Sequence, residues 1–208
     1  LLKEHFKKDI IINLSPSHGY RSRCEFGYRN GYYTMYDKES NRINLTTFQV
    51  ARPIISDLMP KLLNSINNKD ELNNKLFQIN FRANSSNKVL VTLIYHKKLD
   101  EKIKDHAEIL SETLKISVIL RSKNDIFYSN DDLLEDHVKS LKTKLYQSDQ
   151  SFYQPNHFHM PEMVKKVISF LDEPKDLLEL YCGSGTFTLQ LSKYFNYVYA
   201  TENNRQSF

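Results

Sequence analysis

The sequence holds only two cysteines, Cys24 and Cys182, and neither belongs to a CxxC pair. That pattern offers no disulfide framework and no metal or iron-sulfur site, so reduced thiols and no metal are expected. No stretch reaches the roughly 18 uninterrupted apolar residues of a membrane span, and the opening from Leu1 to Ile12 mixes Lys, Glu and Asp into its apolar run. The expectation is a soluble, cytoplasmic chain without a membrane partner. Internal repeats and low-complexity tracts are also missing. So is a strongly basic arm: the net charge is only +4. Residues 151–208 carry five Lys/Arg against six Asp/Glu, which leaves 24 against 19 in residues 1–150. The small positive excess therefore sits in the front of the chain, where it suits phosphate contacts or a merely solvated surface.

What is present is an ordinary globular composition, 40% hydrophobic and 26% charged, able to bury a core. A length of 208 residues suggests two units. Arg21 to Tyr28 and Tyr32 to Asp37 read as strands joined at Asn30-Gly31, a β-hairpin. Pro53 to Ile66 has helical spacing, with Pro60 starting a new turn or kinking the helix. Lys75 to Arg82 and Lys88 to Tyr95 form a second antiparallel pair, followed by an amphipathic helix from Leu99 to Leu114. Ser117 to Arg121 pairs with Asp125 to Ser129, and Thr143 to Tyr146 is a short strand. This front unit is α+β and mainly antiparallel.

After Asn156 the pattern alternates: helix from Pro161 to Leu171, strand from Asp176 to Tyr181, helix from Thr186 to Lys193, strand from Tyr197 to Thr201. Such alternation opens an α/β, Rossmann-like sheet. The boundary is expected between residues 147 and 160, giving units over 1–150 and 151–208.

The sharpest local signal is the apolar strand Leu177 to Tyr181 running into Cys182-Gly183-Ser184-Gly185-Thr186 and a helix. Glycines let backbone approach a ligand closely, and a helix start presents free N–H groups. A dinucleotide-binding turn needs a third glycine where Thr188 stands, so NAD or FAD fits poorly. Glu202 ends the next strand, 19 residues after Gly183, where an acidic side chain can accept bonds from ribose hydroxyls. Glu179 orders the loop or meets the charged part of a cofactor. The constellation resembles class I methyltransferases that bind S-adenosylmethionine; the bland alternative is a glycine turn with two incidental carboxylates.

Ser151-Phe152-Tyr153-Gln154-Pro155-Asn156, read together with Leu177 to Gly183 and Ala200-Thr201-Glu202, narrows the resemblance to the tRNA (uracil-5-)-methyltransferase family. Tyr20 to Phe26, Lys75 to Ile79 and Tyr95 to Asp100 resemble stretches of the same enzymes, so the likeness spans nearly the whole chain in order. The resemblance implies that Gln154, Tyr181 and Glu202 contact S-adenosylmethionine and that the backbone from Gly183 to Gly185 lines the same pocket. Thr186 stands where the tRNA enzymes typically have Asn, and its hydroxyl could replace part of that contact. The cysteine-rich cluster and extra barrel of the ribosomal RNA enzymes are not found, which favours the tRNA branch.

The family chemistry adds a cysteine thiolate to C6 of a uracil, methylates C5, and lets a glutamate take the C5 proton. Both residues lie well past the cofactor turn in the family, so the resemblance implies that they fall beyond Phe208. Neither Cys24 nor Cys182 matches the nucleophile, and no catalytic residue is assigned. Only two strands of what resembles a seven-stranded sheet are present, so more than about a hundred further residues are expected and residues 1–208 alone should be inactive. The implied partner is the T arm of tRNA, bound by a monomer. The alternatives are an RNA-binding fragment without catalysis and a class I methyltransferase acting on another RNA.

A uracil in a folded loop must be unstacked before C5 and C6 are reachable, which calls for phosphate contacts and aromatic groups that replace lost stacking. Candidates for backbone contacts are Arg21, Arg23, His96, Lys97 and Lys98, with Phe77 and Tyr95 for stacking. Each has a structural alternative: an aromatic in a strand is usually core, and lysines after a strand are usually solvated.

Overall fold

A computed structural model describes residues 12–173 and 175–205. The opening segment from Leu1 to Ile11 lies outside the described residues. Phe208, beyond which the family resemblance implies the catalytic cysteine and glutamate, lies outside the described residues too. Among the described residues, no helix is long and apolar enough to cross a membrane.

The front of the chain builds one seven-stranded sheet. Strands β1 (Arg23–Arg29) and β2 (Tyr32–Tyr36) form the expected hairpin, with Asn30 and Gly31 both at positive φ. An unforeseen β3 (Arg42–Leu45) adds to the β2 edge. Strands β4 (Leu76–Ala83) and β5 (Val89–Tyr95) pair antiparallel, and β4 also pairs with β1. Strand β6 (Ser117–Arg121) then runs parallel to β5, and β7 (Ile126–Tyr128) returns antiparallel, giving the order β3-β2-β1-β4-β5-β6-β7. The one parallel step needs a crossover, which the long helix between β5 and β6 supplies.

Helices cover one face. Helix α1 (Pro53–Asn67) is continuous through Pro60, not broken there. Proline at that position leaves the Ser56 carbonyl without its helical donor, and the Thr47 hydroxyl donates to that carbonyl at 3.0 Å instead. A short α2 (Asp70–Asn73) follows, and α3 (Glu101–Leu114) begins at Asp100, whose carboxylate accepts from the Ile103 N–H at 3.0 Å. Beneath them Cys24, Phe26, Tyr33, Ile79, Phe81, Val91, Leu93, Tyr95, Val118 and Leu120 point inward at alternate positions of their strands and form the core with Ile55, Leu62, Ile103 and Ala107.

The opposite face is treated differently along its length. A second hairpin, β8 (Leu133–Val138) with β9 (Thr143–Ser148), packs Leu134 against Leu90 and Ile119. Arg23, Glu25, Gln78 and Asn80 occupy the outward positions further along that face.

After β9, residues 149–158 lead to α4 (His159–Ile168), whose start is capped by Asn156: its side-chain oxygen accepts from the N–H groups of Phe158 and His159, both at 3.1 Å. Strands β10 (Asp176–Leu180) and β11 (Tyr197–Thr201) pair in parallel around a helix shorter than expected, α5 (Thr188–Leu191), extended by a 3-10 turn over Ser192–Tyr194.

Candidate cofactor turn and RNA face

The turn after β10 is built by its own backbone and one carboxylate. Tyr181 leaves the strand at φ 58, so it is not a strand residue, and Gly183 and Gly185 follow at φ 58 and 74. Three left-handed positions within five residues fold the chain back sharply; two are glycine, where the conformation costs nothing sterically. The Cys182 N–H donates to the Thr201 carbonyl at 2.9 Å, and the Gly185 N–H to the Cys182 carbonyl at 3.0 Å. Glu202, at the end of β11, closes the loop. One carboxylate oxygen accepts from the Gly183 N–H at 2.8 Å, and the other from Asn203 and Asn204 at 2.9 and 2.8 Å. The N–H groups of Asn204 and Gly183, with that of Asn203, hold its pKa below the ordinary carboxylate value. A carboxylate offers about four lone-pair directions, so acceptor capacity remains for a ligand hydroxyl.

Glu179 accepts from the Thr188 hydroxyl at 2.5 Å, so the residue that replaces the third glycine ties the start of α5 to the strand. Tyr181 is 78% exposed at the turn, whereas Thr186 is buried and its hydroxyl is less open to a ligand. Gln154 lies in a segment that meets the turn through Phe152: the Ser184 hydroxyl donates to the Phe152 carbonyl at 3.3 Å, and a Cβ on Gly183 would come within 3.5 Å of that same oxygen. The turn thus assembles Tyr181, Gly183, Gly185 and Glu202 beside the 152–154 segment. Positive-φ backbone and a carboxylate at the next strand end suit a nucleoside ligand.

Neither described cysteine is prepared as a thiolate. Burial pushes the Cys24 thiol up to about 12, against the opposing effect of Arg21. Cys182 is raised by burial and by the carboxylates of Glu179 and Glu202.

The second cluster lies on the sheet, at the end of β5 where it meets the start of β4. The pairing of β4 with β5 shifts register between Leu76 and Gln78. Leu76 and Ile79 therefore both face the core while Phe77 turns outward, 49% exposed, its ring stacked on His96 at 4.3 Å and 18°. Tyr95 corrects the stacking assignment made from sequence: it is 1% exposed and its hydroxyl donates to the Leu72 carbonyl at 2.7 Å, so its ring is core. Lys97 lies over that ring at 5.4 Å and donates to the Glu71 carbonyl at 2.8 Å, so part of its donor capacity is already used, while Lys98 is exposed.

Arg23 is paired with Glu25. Arg21 anchors the chain by its backbone, its N–H donating to the Val50 carbonyl at 3.0 Å and its own carbonyl accepting from Arg52 at 2.8 Å. Both arginines are partly buried and lie less open than His96 and Lys98. Sequence reasoning missed a groove of about 850 Å³ next to the stack, lined by His96, Lys98, Arg121 and Lys123. The pattern Arg121-Ser122-Lys123-Asn124 carried the charge, but only the parallel pairing of β5 with β6 sets those side chains beside residues 96–98.

The chain matches the profile of the family described as tRNA (Uracil-5-)-methyltransferase over residues 1–208. It is 36% identical to a tRNA/tmRNA (uracil-C(5))-methyltransferase of Campylobacter lari over 100% of this chain and 61% of that protein. It is 38% identical to the protein of the same name from Proteus mirabilis, over 93% of this chain and 57% of that one. The chain therefore spans little more than half the length of such relatives. Among solved structures, the Pyrococcus abyssi tRNA (uracil-54, C5)-methyltransferase, in complex with S-adenosyl-L-homocysteine, superposes with TM-score 0.69 at 17% identity, over 92% of this chain and 51% of that one. At that identity the likeness is one of fold.

Proposed function

Since the chain belongs to the tRNA (uracil-5-)-methyltransferase family, we propose that it is the RNA-recognition and cofactor-turn part of an enzyme that transfers a methyl group from S-adenosylmethionine to C5 of the T-loop uridine in tRNA. The observation that carries this reading is the glycine turn closed by Glu202, with Tyr181 exposed at its mouth and Gln154 in the neighbouring segment. Glu202 and Tyr181 take the nucleoside, and the Gln154 amide takes the amino-acid end, which needs both donor and acceptor. The cofactor supplies an electrophilic methyl group; the chain's own task is to hold it next to an unstacked base.

In this reading residues 1–150 recognise RNA and residues 151–208 open the methyltransferase unit. Phe77 stacks on an exposed base with His96 supporting its ring, and the groove beside it takes phosphates on Lys98, Lys123 and His96. The nucleophilic cysteine is neither Cys24 nor Cys182, in keeping with their raised pKa values. In this reading it and the proton-accepting glutamate are contributed by the full-length enzyme, since this chain spans little more than half the length of its relatives.

The test is incubation of the full-length protein with methyl-labelled S-adenosylmethionine and a T-arm RNA, followed by mass spectrometry of the nucleosides. Label at C5 of the T-loop uridine is expected. Label on another base, or on ribose alone, overturns the reading. Phosphate contacts should also make T-arm binding salt-dependent. Removing Lys98 or Lys123 should lower the slope of log affinity against log salt by about one each, weakening all RNAs alike. An unchanged slope would take the backbone out of this groove.

A further inference from the structure

Residues 147–155 run between the sheet and the glycine turn, and their backbone is held from both sides. On the sheet side Arg82, only 3% exposed, donates through Nη2 to the Asp149 carbonyl at 3.0 Å and to the Ser151 carbonyl at 2.6 Å. Arg121 pairs with the Asp149 carboxylate. Tyr153 is buried, and its hydroxyl donates to buried Asp136 at 2.8 Å. The Pro155 carbonyl accepts from the Ser22 N–H at 2.7 Å and the Ser22 hydroxyl at 3.2 Å. On the turn side, the Ser184 hydroxyl donates to the Phe152 carbonyl and the Asn204 amide to the Gln150 carbonyl at 2.9 Å. Gln154 is thus flanked by Tyr153 and Pro155, which Asp136 of the β8–β9 hairpin and Ser22 beside β1 hold in place.

Burying a guanidinium is costly unless its donors are paired. Burial pulls the Arg82 pKa down to about 10, with Asp149 opposing the shift. Nη1 has no hydrogen-bond partner among the described residues, so the two carbonyl bonds and the nearby Asp149 provide the main compensation. Nη2 carries two N–H donors fixed in the guanidinium plane, one for each carbonyl; the freely rotating ammonium of a lysine holds two such carbonyls with less geometric control.

We propose that Arg82 is a positioning residue for cofactor binding: it clamps the 149–155 strap to the sheet, so that Phe152 and Gln154 meet the glycine turn in a fixed register. The role rests on the proposed function, in which Gln154 and the turn hold S-adenosylmethionine. The strap also links the two sites physically, because β4 carries Arg82 near one end and Phe77 near the other.

The test compares wild type, Arg82→Met and Arg82→Lys in the full-length protein by three readouts: calorimetric binding of S-adenosylhomocysteine, binding of T-arm RNA, and amide hydrogen exchange over residues 149–155. Arg82→Met should speed exchange in the strap and weaken S-adenosylhomocysteine about tenfold, the loss expected when a charge-assisted hydrogen bond is removed. RNA affinity should hold within about twofold, since an intact core still presents Phe77. Arg82→Lys should fall between the two.

If Arg82→Met binds S-adenosylhomocysteine as wild type does, the positioning role falls while the proposed function stands. Faster exchange throughout the sheet with loss of RNA binding would make Arg82 a general stability residue and also overturn the role. Wild-type protein that binds no S-adenosylhomocysteine overturns the proposed function itself, and this role with it.

Discussion

Glu202→Ala in the full-length protein is expected to weaken S-adenosylhomocysteine by about a hundredfold, because it removes the proposed ligand contact and the acceptor of three turn N–H groups together. Gly183 holds its left-handed conformation while its N–H is bound to this carboxylate, so the loss reaches the backbone that lines the pocket. Glu202→Gln keeps one acceptor oxygen and should lose less. The pH dependence has a definite sign. The folded-state pKa lies below that of an unfolded glutamate, held down by the N–H groups of Asn204 and Gly183. Its contribution is therefore fully present above the unfolded value, roughly 4.3, and is lost as pH falls through the lower folded value. That is the stability contribution; cofactor affinity depends on the folded carboxylate being ionised, so it should show no Glu202-dependent change from pH 8 to about 5 and should decline only as pH falls through the lowered folded value. The Glu202→Ala protein should lack that component of the decline. Calorimetric titration across that range checks both statements. An Ala variant with wild-type affinity would reduce Glu202 to a loop-ordering residue with no ligand.

How much of this was legible in the sequence depended on whether the signal was local. The Asn30-Gly31 hairpin and the glycine turn announce themselves because positive φ at those positions selects their residues. Strand β8 was not legible: Leu133-Leu134-Glu135-Asp136-His137-Val138 is rich in acidic residues, and its extended form comes from pairing with β9 and from burying Leu134 on the sheet. The same holds for the edge strand β3 and for α2, a single turn too short to show a period. The continuity of α1 through Pro60 depended on Thr47, an acceptor-seeking hydroxyl in the preceding loop that no helical pattern could reveal. Within the site, Tyr181, Gly183 and Gly185 share one run of sequence, whereas Glu202 reaches the turn from the end of the next strand. Nothing in the sequence marks Arg82, because the backbone carbonyls it meets belong to residues 149 and 151, far along the chain. Tyr95 stands beside His96 in sequence, which suggests a shared role, but the strand pleat sends its ring into the core and the His96 ring out.

That same pleat, modified by the register shift at Leu76/Gln78, makes Phe77 the residue on which RNA recognition should depend most. Without the shift, Leu76 and Ile79 would face opposite sides, and Phe77 would share the Ile79 side as core. With it, the ring stands half-exposed on His96, a preformed platform beside the cationic groove. Stacking of a base on such a ring is worth about 1–3 kcal/mol, so Phe77→Ala should weaken T-arm RNA by about fivefold to 150-fold. Phe77→Tyr should keep most of the affinity, because the face that stacks is preserved. His96→Ala should cost less than Phe77→Ala, since it removes the support and not the platform. Melting temperature should change little in either alanine variant, as neither side chain belongs to the buried core. Fluorescence anisotropy with a labelled T-arm hairpin reads these differences directly. Wild-type RNA affinity in Phe77→Ala, alongside a lowered salt slope in the Lys98 and Lys123 variants, would leave the RNA in the groove and move the unstacked base to another ring.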